Sequence, residues 1–347
     1  MTSTIVVTED FDLTWSWSAE HAAARWASSD LVVIRREAGD DRPLSQLGVP
    51  ASTTRLLVLG LEVTTADVPT LPGGLREVGL AWWFADSEAV DAMRDRGIAV
   101  YRHESEGFWG QSVSEFGLGL TIAGLRRIPQ TSRAMLDDAS AWDYVPADGR
   151  GRPRARSEQF GDDAAFTSGT VAGKRVRVVG MGNIGARYAS FCAMLGADVA
   201  GWDPIAPETA FHRSNARRVS RLADLVADAE IFAPMLPHLP ATEGIVTAEL
   251  IDALPHGCLV VCVTRMQILD AAALRRRVLA DELALAADVF DVEPLPFDDP
   301  LLGRHNVVHT PHNAGRTIDA NRAYIDALLD RFERVAGEVP AGSAVRR

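Results

Sequence analysis

The chain has 347 residues, 47% of them hydrophobic and 24% charged, with a formal net charge of −12 at pH 7. That length holds two domains of ordinary size, and the negative balance argues against nucleic acid or an anionic membrane as partner, though not against a small anionic ligand at a local cation. No apolar run reaches the length of a bilayer span, and the N-terminal MTSTIVVTEDFDL has no basic segment followed by an apolar one, so a cytoplasmic protein is expected.

The first hundred residues alternate short branched-aliphatic runs with helical patterns. TIVVT, LVVIR (31–35), LLVLG (56–60), REVGLAW (76–82) and IAVYR (98–102) read as strands, with AEHAAARWA and DSEAVDAMRDRG as helices between them. This predicts a parallel sheet with covering helices over residues 1–112. Ser112-Val113-Ser114-Glu115 then resembles a capping box, opening the apolar stretch EFGLGLTIAGLRRI, which Pro129 closes. Residues 130–169 are polar and include ADGRGRPRARSEQFGDD, read as a loop, an arm or a partner surface. Their basic run is short and followed by acids, which gives no case for nucleic acid. From Lys174 a second alternation begins. Its strands are RVRVVG, ADVAGWD, AEIFAPML, CLVVCVT, LALAADVF and VVHT; its helices include GARYASFCAML, RLADLVADA, TAELIDAL and DAAALRRRVLADE. This is the pattern of a doubly wound α/β sheet, whose ligands sit at the carboxyl ends of the strands. The amphipathic run DANRAYIDALLDRFERVAG predicts a C-terminal helix. Cys192, Cys258 and Cys262 form no CxxC pair, so they fit buried thiols rather than a disulfide framework or zinc ribbon.

After RVRVV comes Gly180-Met181-Gly182-Asn183-Ile184-Gly185 and then a helix. A lone GxGxxG is weak, but strand and helix flank this one. The first glycine permits a tight turn, the second lets a pyrophosphate approach the backbone, and the third lets helix and strand pack closely. The helix N-terminus supplies free N–H groups and a positive dipole end. The next strand ends in Asp203, placed to accept both ribose hydroxyls of an adenosine and to repel a 2′-phosphate, which favours NAD over NADP.

Three further strands of this half end in chemically distinctive residues: Arg265 after VVCVT, Asp288, Asp291 and Glu293 around the end of AADVF, and His312 in HTPHNAG. An unpaired buried charge is costly, so Arg265 is expected to meet solvent or an anion at the ligand crevice. Singly, each has a bland reading: Arg265 a surface residue paired with Asp270, Glu293 a loop charge, His312 a neighbour of His305 and His309. Those imidazoles straddle a strand and a loop rather than one helix face, which argues against a metal site.

The pieces VVGMGNIG…GWDP, MLPHLPATEGIV, LVVCVTR, ADVFDVEPLP and NVVHTPHNAG resemble, in order and spacing, the NAD-dependent D-2-hydroxyacid dehydrogenase family, over roughly 170–320; GLREVGLA and SVSE resemble its first domain more loosely. The resemblance implies two Rossmann-like doubly wound parallel-sheet domains with the active site in the cleft between them. Residues 1–112, completed by the C-terminal helix 316–347, would be the flavodoxin-like substrate domain, and 113–315 the NAD-binding Rossmann domain. It implies an enzyme that binds NAD and a small anionic substrate, and a homodimer to which 130–169 contributes. In it Arg265 grips the substrate carboxylate, His312 is the general acid/base and Glu293 its carboxylate partner. Asp288 lies near the nicotinamide carboxamide; Asn183 and Ile184 form the pyrophosphate turn; Leu236, Pro237 and Thr242 cover the adenosine; Val263 lies near the nicotinamide; and Gly315 completes the cofactor-binding set.

Two departures bear on the substrate. The family has a glycine-rich loop after a first-domain strand, where this chain reads Ala81-Trp82-Trp83-Phe84. These residues either pack between the domains or wall the substrate pocket, changing the substrate or partly closing the pocket. The family has asparagine three positions before the arginine and glycine after it; here stand Cys262 and Met266, followed by Gln267. Met266 is therefore expected in the substrate pocket. His103, Glu104 and Glu106 add unusual polar groups, read as pocket residues or solvated charges. Besides a 2-hydroxy acid, the readings left open are phosphite or a phosphonate-bearing acid, and a non-catalytic NAD-binding corepressor-like protein. Formate is disfavoured, because the formate enzymes carry glutamine where Glu293 stands.

Overall fold

The branched-aliphatic runs of the N-terminal part form five parallel strands: β1 (Thr2–Thr8), β2 (Leu31–Arg36), β3 (Thr53–Leu59), β4 (Glu77–Ala81) and β5 (Ala99–Arg102), in the order β2-β1-β3-β4-β5. The computed structural model describes residues 2–27, 30–81, 87–102, 108–137, 139, 142 and 161–337, with backbone alone at 87, 108 and 333–337. The strand order is the flavodoxin-like one. Sheets of this kind are covered on both faces, so their strands are apolar throughout rather than alternating. Val6, Leu56, Val58, Val78 and Leu80 face Ala89, Val90 and Met93 of the helix Ser87–Asp95. The helices Ser18–Arg25 and Ile318–Gly337 pack together and against the strands. Gly79 of β4 has a specific reason to be glycine: a Cβ there would lie 2.7 Å from Cε2 of Phe332. Phe332 also meets Trp26 edge-on at 5.0 Å between ring centroids.

Seven parallel strands form the second sheet: β6 (Arg175–Val179), β7 (Asp198–Trp202), β8 (Arg217–Arg218), β9 (Ile231–Pro234), β10 (Leu259–Cys262), β11 (Ala284–Ala287) and β12 (Val307–His309). Their order is β12-β11-β10-β9-β6-β7-β8. The order reverses between β6 and β9, the switch point at which open α/β sheets bind ligands. Each strand feeds both faces: Val260, Cys262, Leu285 and Ala287 pack into one core, Leu259, Val261, Ala284 and Ala286 into the other. The cysteines are buried here, and burial pushes the Cys192 and Cys262 thiols up to about 12. Arg177, a charge in the middle of β6, is 1% exposed and fully engaged; its Nε and Nη2 each reach Asp228 at 2.7 Å and Nη2 reaches Asp198 at 3.0 Å. The short edge strand β8 was not expected from the sequence, since two exposed arginines carry no strand pattern.

By internal contacts the chain falls into two compact units, residues 1–108 with 316–347 and residues 109–315. The helix expected to open at Ser112 runs instead from Phe108 to Arg126, so Ser112 and Ser114 lie inside it. Their hydroxyls bond across elements rather than capping: Ser112 donates to the Ala314 carbonyl at 2.6 Å and Ser114 to the Ile184 carbonyl at 3.0 Å. The helix ends at Arg127, whose φ of 52° is left-handed, and Pro129 falls in the first turn of the next helix, Ile128–Asp137. A proline is tolerated there because the first N–H groups of a helix have no internal partner. The expected polar loop 130–169 therefore begins as helix.

Candidate active site

The glycine loop rises from β6 beside the ends of β7 and β9, because Val179 is in register with both Trp202 and Pro234. Gly180 has φ of 92°, and a Cβ on it would lie 2.7 Å from Leu236. A Cβ on Gly185 would lie 1.9 Å from the Gly180 carbonyl oxygen, so the helix Asn183–Met194 can start this close to the strand only with glycine there. Gly182 is the N-cap and has nothing within 4 Å of where its Cβ would be. That open space over uncapped N–H groups fits the approach of a pyrophosphate. The Asn183 carbonyl and Oδ1 accept from Arg187 at 2.8 and 3.1 Å, and the Ile184 carbonyl receives Ser114. Asp203 is buried, and its Oδ2 accepts the Met181 N–H at 2.8 Å, tying the end of β7 to the glycine loop. Leu236 packs on Gly180, and the Thr242 hydroxyl donates to the Pro237 carbonyl at 2.5 Å and accepts the Leu239 N–H at 2.9 Å, closing the 237–242 turn.

The chemistry-bearing residues gather at one end of three neighbouring strands. Cys262, Ala287 and His309 are in register across β10, β11 and β12. At about 4.8 Å between strands, the chain segments that follow them leave the sheet within about 10 Å of one another. Arg265 comes three residues after β10. Its side chain is exposed, and Nη1 donates to the Thr264 carbonyl at 2.7 Å. Among the described residues no carboxylate pairs with it; Asp270 instead caps the helix Ala271–Leu279 through the Ala273 N–H at 2.8 Å. Glu293 accepts the Phe290 N–H on Oε1 at 2.8 Å, and its Oε2 lies 2.7 Å from His312 Nδ1. His312 has φ of 54°, a left-handed conformation uncommon outside glycine. Asp288 holds this conformation. It is 0% exposed, its Oδ1 accepts the Thr310 hydroxyl at 2.6 Å and the Asn313 N–H at 3.0 Å, and its Oδ2 accepts the Ala314 N–H at 2.8 Å. The structure thus gives Asp288 a positioning task on the histidine loop. Ser112 adds a further tie to that loop.

Val263 is buried beneath the site. Met266, expected in the substrate pocket, is 4% exposed and packs into the core beside Cys262 and Leu269. A three-residue helical turn, Met266–Ile268, sends its side chain inward while Arg265 stays outside. Ala81 is the buried last residue of β4, in the other unit. Trp82, Trp83 and Phe84, like His103, Glu104 and Glu106, lie outside the described residues. Gly315 follows the Asp288-bound loop, with Val113 3.6 Å from where its Cβ would be. Sequence reasoning missed Thr310, whose signal is a hydroxyl directly after a strand and before the histidine loop, and Arg218, which β8 brings beside Asp203.

Residues 119–314 match the family described as D-isomer specific 2-hydroxyacid dehydrogenase, NAD binding domain. The D-3-phosphoglycerate dehydrogenase of Mycobacterium tuberculosis is 30% identical over 314 residues, 90% of this chain and 54% of that enzyme, so the chain spans about half the length of this relative. A hydroxypyruvate reductase of Thermotoga maritima is 26% identical over 286 residues, covering 81% of this chain and 84% of that one. The crystal structure of a D-isomer specific 2-hydroxyacid dehydrogenase from Xanthobacter autotrophicus Py2, in complex with NADPH and MES, is 27% identical with a TM-score of 0.62, covering 99% of this chain and 98% of that one. A match across more than half the chain, on the strands that carry the glycine loop, the acid and the Glu293–His312 pair, makes this chain a member of the D-isomer specific 2-hydroxyacid dehydrogenase family.

Proposed function

We propose that the chain is an NAD(H)-dependent oxidoreductase that interconverts a 2-hydroxy acid and a 2-oxo acid by hydride transfer at C2. The observation that carries this reading is the 2.7 Å contact between His312 Nδ1 and Glu293 Oε2, at the same strand ends as Arg265, which has no carboxylate partner among the described residues. A carboxylate only accepts, so Glu293 fixes the tautomer: Nδ1 carries hydrogen, and Nε2 is the nitrogen left to exchange a proton. Arg265 offers a planar fork of donors suited to a carboxylate and an adjacent oxygen. Gly180, Gly182, Asn183, Ile184 and Gly185 would hold the pyrophosphate of NAD, Asp203 a ribose, and Leu236, Pro237, Thr242 and Val263 the adenosine and nicotinamide flanks. Bound NADH supplies the hydride to C2. In that direction His312 gives its Nε2 proton to the C2 oxygen, and in the reverse direction takes it back.

A panel of 2-oxo acids, from small to aromatic and including hydroxypyruvate, followed at the NADH absorbance, tests this reading; phosphite with NAD is a separate arm. At least one oxo acid is expected to turn over, and Arg265→Ala to lower kcat/KM by about 10²–10³-fold, the scale of truncating one partner of a charge pair. Wild-type turnover by Arg265→Ala would remove the arginine's role, and NAD binding without turnover on any substrate would favour a non-catalytic protein.

The same reading includes a homodimer. Its support is an apolar helix, Phe108–Arg126, whose Phe116, Leu118 and Ile122 are only partly covered, followed by the helix Ile128–Asp137, which buries none of its residues and exposes Ile128, Met135 and Leu136. A monomer in sedimentation at micromolar concentration would refute it. Among the described residues no helix is long and apolar enough to cross a membrane. The three buried free cysteines support a cytoplasmic site of action.

A further inference from the structure

The Asp203 carboxylate, expected to receive both ribose hydroxyls, is largely committed within the protein. Its Oδ1 accepts the N–H groups of Ile205 at 3.0 Å and Ala206 at 2.9 Å, and its Oδ2 that of Met181 at 2.8 Å. A carboxylate has about four lone-pair sites, so roughly one remains for a ligand, on Oδ2. Three backbone dipoles also point at its charge, which weakens the repulsion that a bare aspartate would exert on a phosphate.

A cation stands on the other side of the same residue. The edge strand β8 pairs Arg218 with Gly201 of β7. The Arg218 Nη2 donates to the Asp203 carbonyl at 3.1 Å, and its Cζ lies 4.9 Å from the Phe211 ring centroid. These contacts hold the guanidinium in place. Its third contact is of another kind: Nη1 lies 3.2 Å from Oε2 of Glu208, whose side chain is 74% exposed. An ion pair so open to water is weak and exchanges readily. In dinucleotide-binding folds the acid at the end of the second strand marks the ribose 2′ position, and an arginine nearby accommodates a 2′-phosphate.

We propose that Arg218 is a specificity-determining residue of this chain: a 2′-phosphate displaces Glu208 from it, so that NADP(H) is accepted alongside NAD(H), with Glu208 as the group that discriminates against the phosphate. The inference rests on the dinucleotide-binding reading of the glycine loop. Asp203 then serves mainly to fasten that loop, and the choice between cofactors passes to the Glu208–Arg218 pair.

The test compares 5′-AMP with 2′,5′-ADP, which differ only in the 2′-phosphate, by calorimetric titration of the wild type, Arg218→Ala and Glu208→Gln, with NADH and NADPH titrated in parallel. The readout is the ratio of the two nucleotides' dissociation constants, which cancels damage common to both. The wild type is expected to bind 2′,5′-ADP within about tenfold of 5′-AMP. Arg218→Ala should shift the ratio against 2′,5′-ADP by about tenfold or more, the size of a charge-assisted hydrogen-bonded contact, and Glu208→Gln should shift it the other way. A ratio unmoved by either variant overturns the proposal, as does a wild type that binds 5′-AMP and NADH but neither 2′,5′-ADP nor NADPH. If no nucleotide binds, the dinucleotide reading fails and the proposal with it.

Discussion

Replacing Asp288 by alanine separates two accounts of this residue. The structure makes it the anchor of the histidine loop, whereas the family resemblance places it beside the nicotinamide. Its carboxylate is fully buried and receives the Thr310 hydroxyl and the Asn313 and Ala314 N–H groups at 2.6, 3.0 and 2.8 Å. Alanine leaves the Asn313 and Ala314 N–H groups without an acceptor and the Thr310 hydroxyl with only the Ala287 carbonyl at 3.4 Å. At roughly 1–3 kcal/mol for each, reduced by the water a surface loop can admit, the loss of unfolding free energy is about 3–5 kcal/mol. Asparagine keeps one oxygen for Thr310 and Asn313 but turns an NH₂ toward the Ala314 N–H, so Asp288→Asn is expected to cost about 1–2 kcal/mol, and Thr310→Val about 1 kcal/mol. The loop carries His312 in a left-handed conformation, and its release displaces the imidazole from Glu293. A misplacement of about 1 Å lowers kcat/KM by about 10²-fold. Urea unfolding, steady-state turnover and NADH titration on the three variants should show stability and kcat/KM falling together in the order Thr310→Val, Asp288→Asn, Asp288→Ala, with NADH affinity moving least. Unchanged stability in Asp288→Ala, with activity lost through NADH affinity alone, would refute the anchoring role.

Other perturbations have expected outcomes of their own. Gly185→Ala forces a Cβ to 1.9 Å from a backbone oxygen and should destabilise the fold, whereas Gly182→Ala enters open space. The latter should move the unfolding free energy by less than about 0.5 kcal/mol while weakening NADH binding about tenfold or more; equal effects from both would contradict the assignment. Gly79→Ala, with its Cβ 2.7 Å from Phe332, is expected to cost about 1–3 kcal/mol in urea unfolding. Adding Phe332→Leu should recover part of that loss, and strict additivity would show the two sites to be uncoupled. For the pH dependence, burial raises the Asp67 pKa, but donors from Ser45 and Thr64 at 2.9 and 3.0 Å outweigh it and hold the carboxyl below its usual value. A lowered folded pKa means the stabilisation is present above the unfolded value of about 3.9 and is lost as pH falls through the folded one. The stability gap between wild type and Asp67→Asn should therefore shrink on acidification below about pH 4, and a gap that widens there would reverse the sign.

The strands were legible from sequence because parallel sheets covered on both faces leave continuous apolar runs. LLVL and LVVC could hardly be anything but interior strands. The glycine loop was legible for a different reason: a left-handed turn at Gly180 and a helix start where a Cβ on Gly185 would lie 1.9 Å from a carbonyl oxygen tolerate glycine alone, so the backbone requirement is written in the residues. Arg265, Glu293 and His312 stand just past strand ends, and finding them there needed only the strand pattern. Helix starts were less legible: Ser112 looked like the cap of a box closed by Glu115, yet its hydroxyl bonds to a chain segment 202 residues away.

The sequence by itself thus determined the two α/β halves, the dinucleotide turn and the presence of an arginine, a carboxylate and a histidine at successive strand ends, because periodicity and backbone constraints are local. Only the tertiary structure decided how those groups are employed. Register across β10, β11 and β12 brings the three ends together, a turn at Met266 sends that side chain into the core, and Asp288 is committed to the histidine loop. A two-residue edge strand sets Arg218 beside Asp203. Each of these depends on which distant donor lies within about 3 Å of which acceptor, a distance that strand pairing fixes and no local pattern encodes.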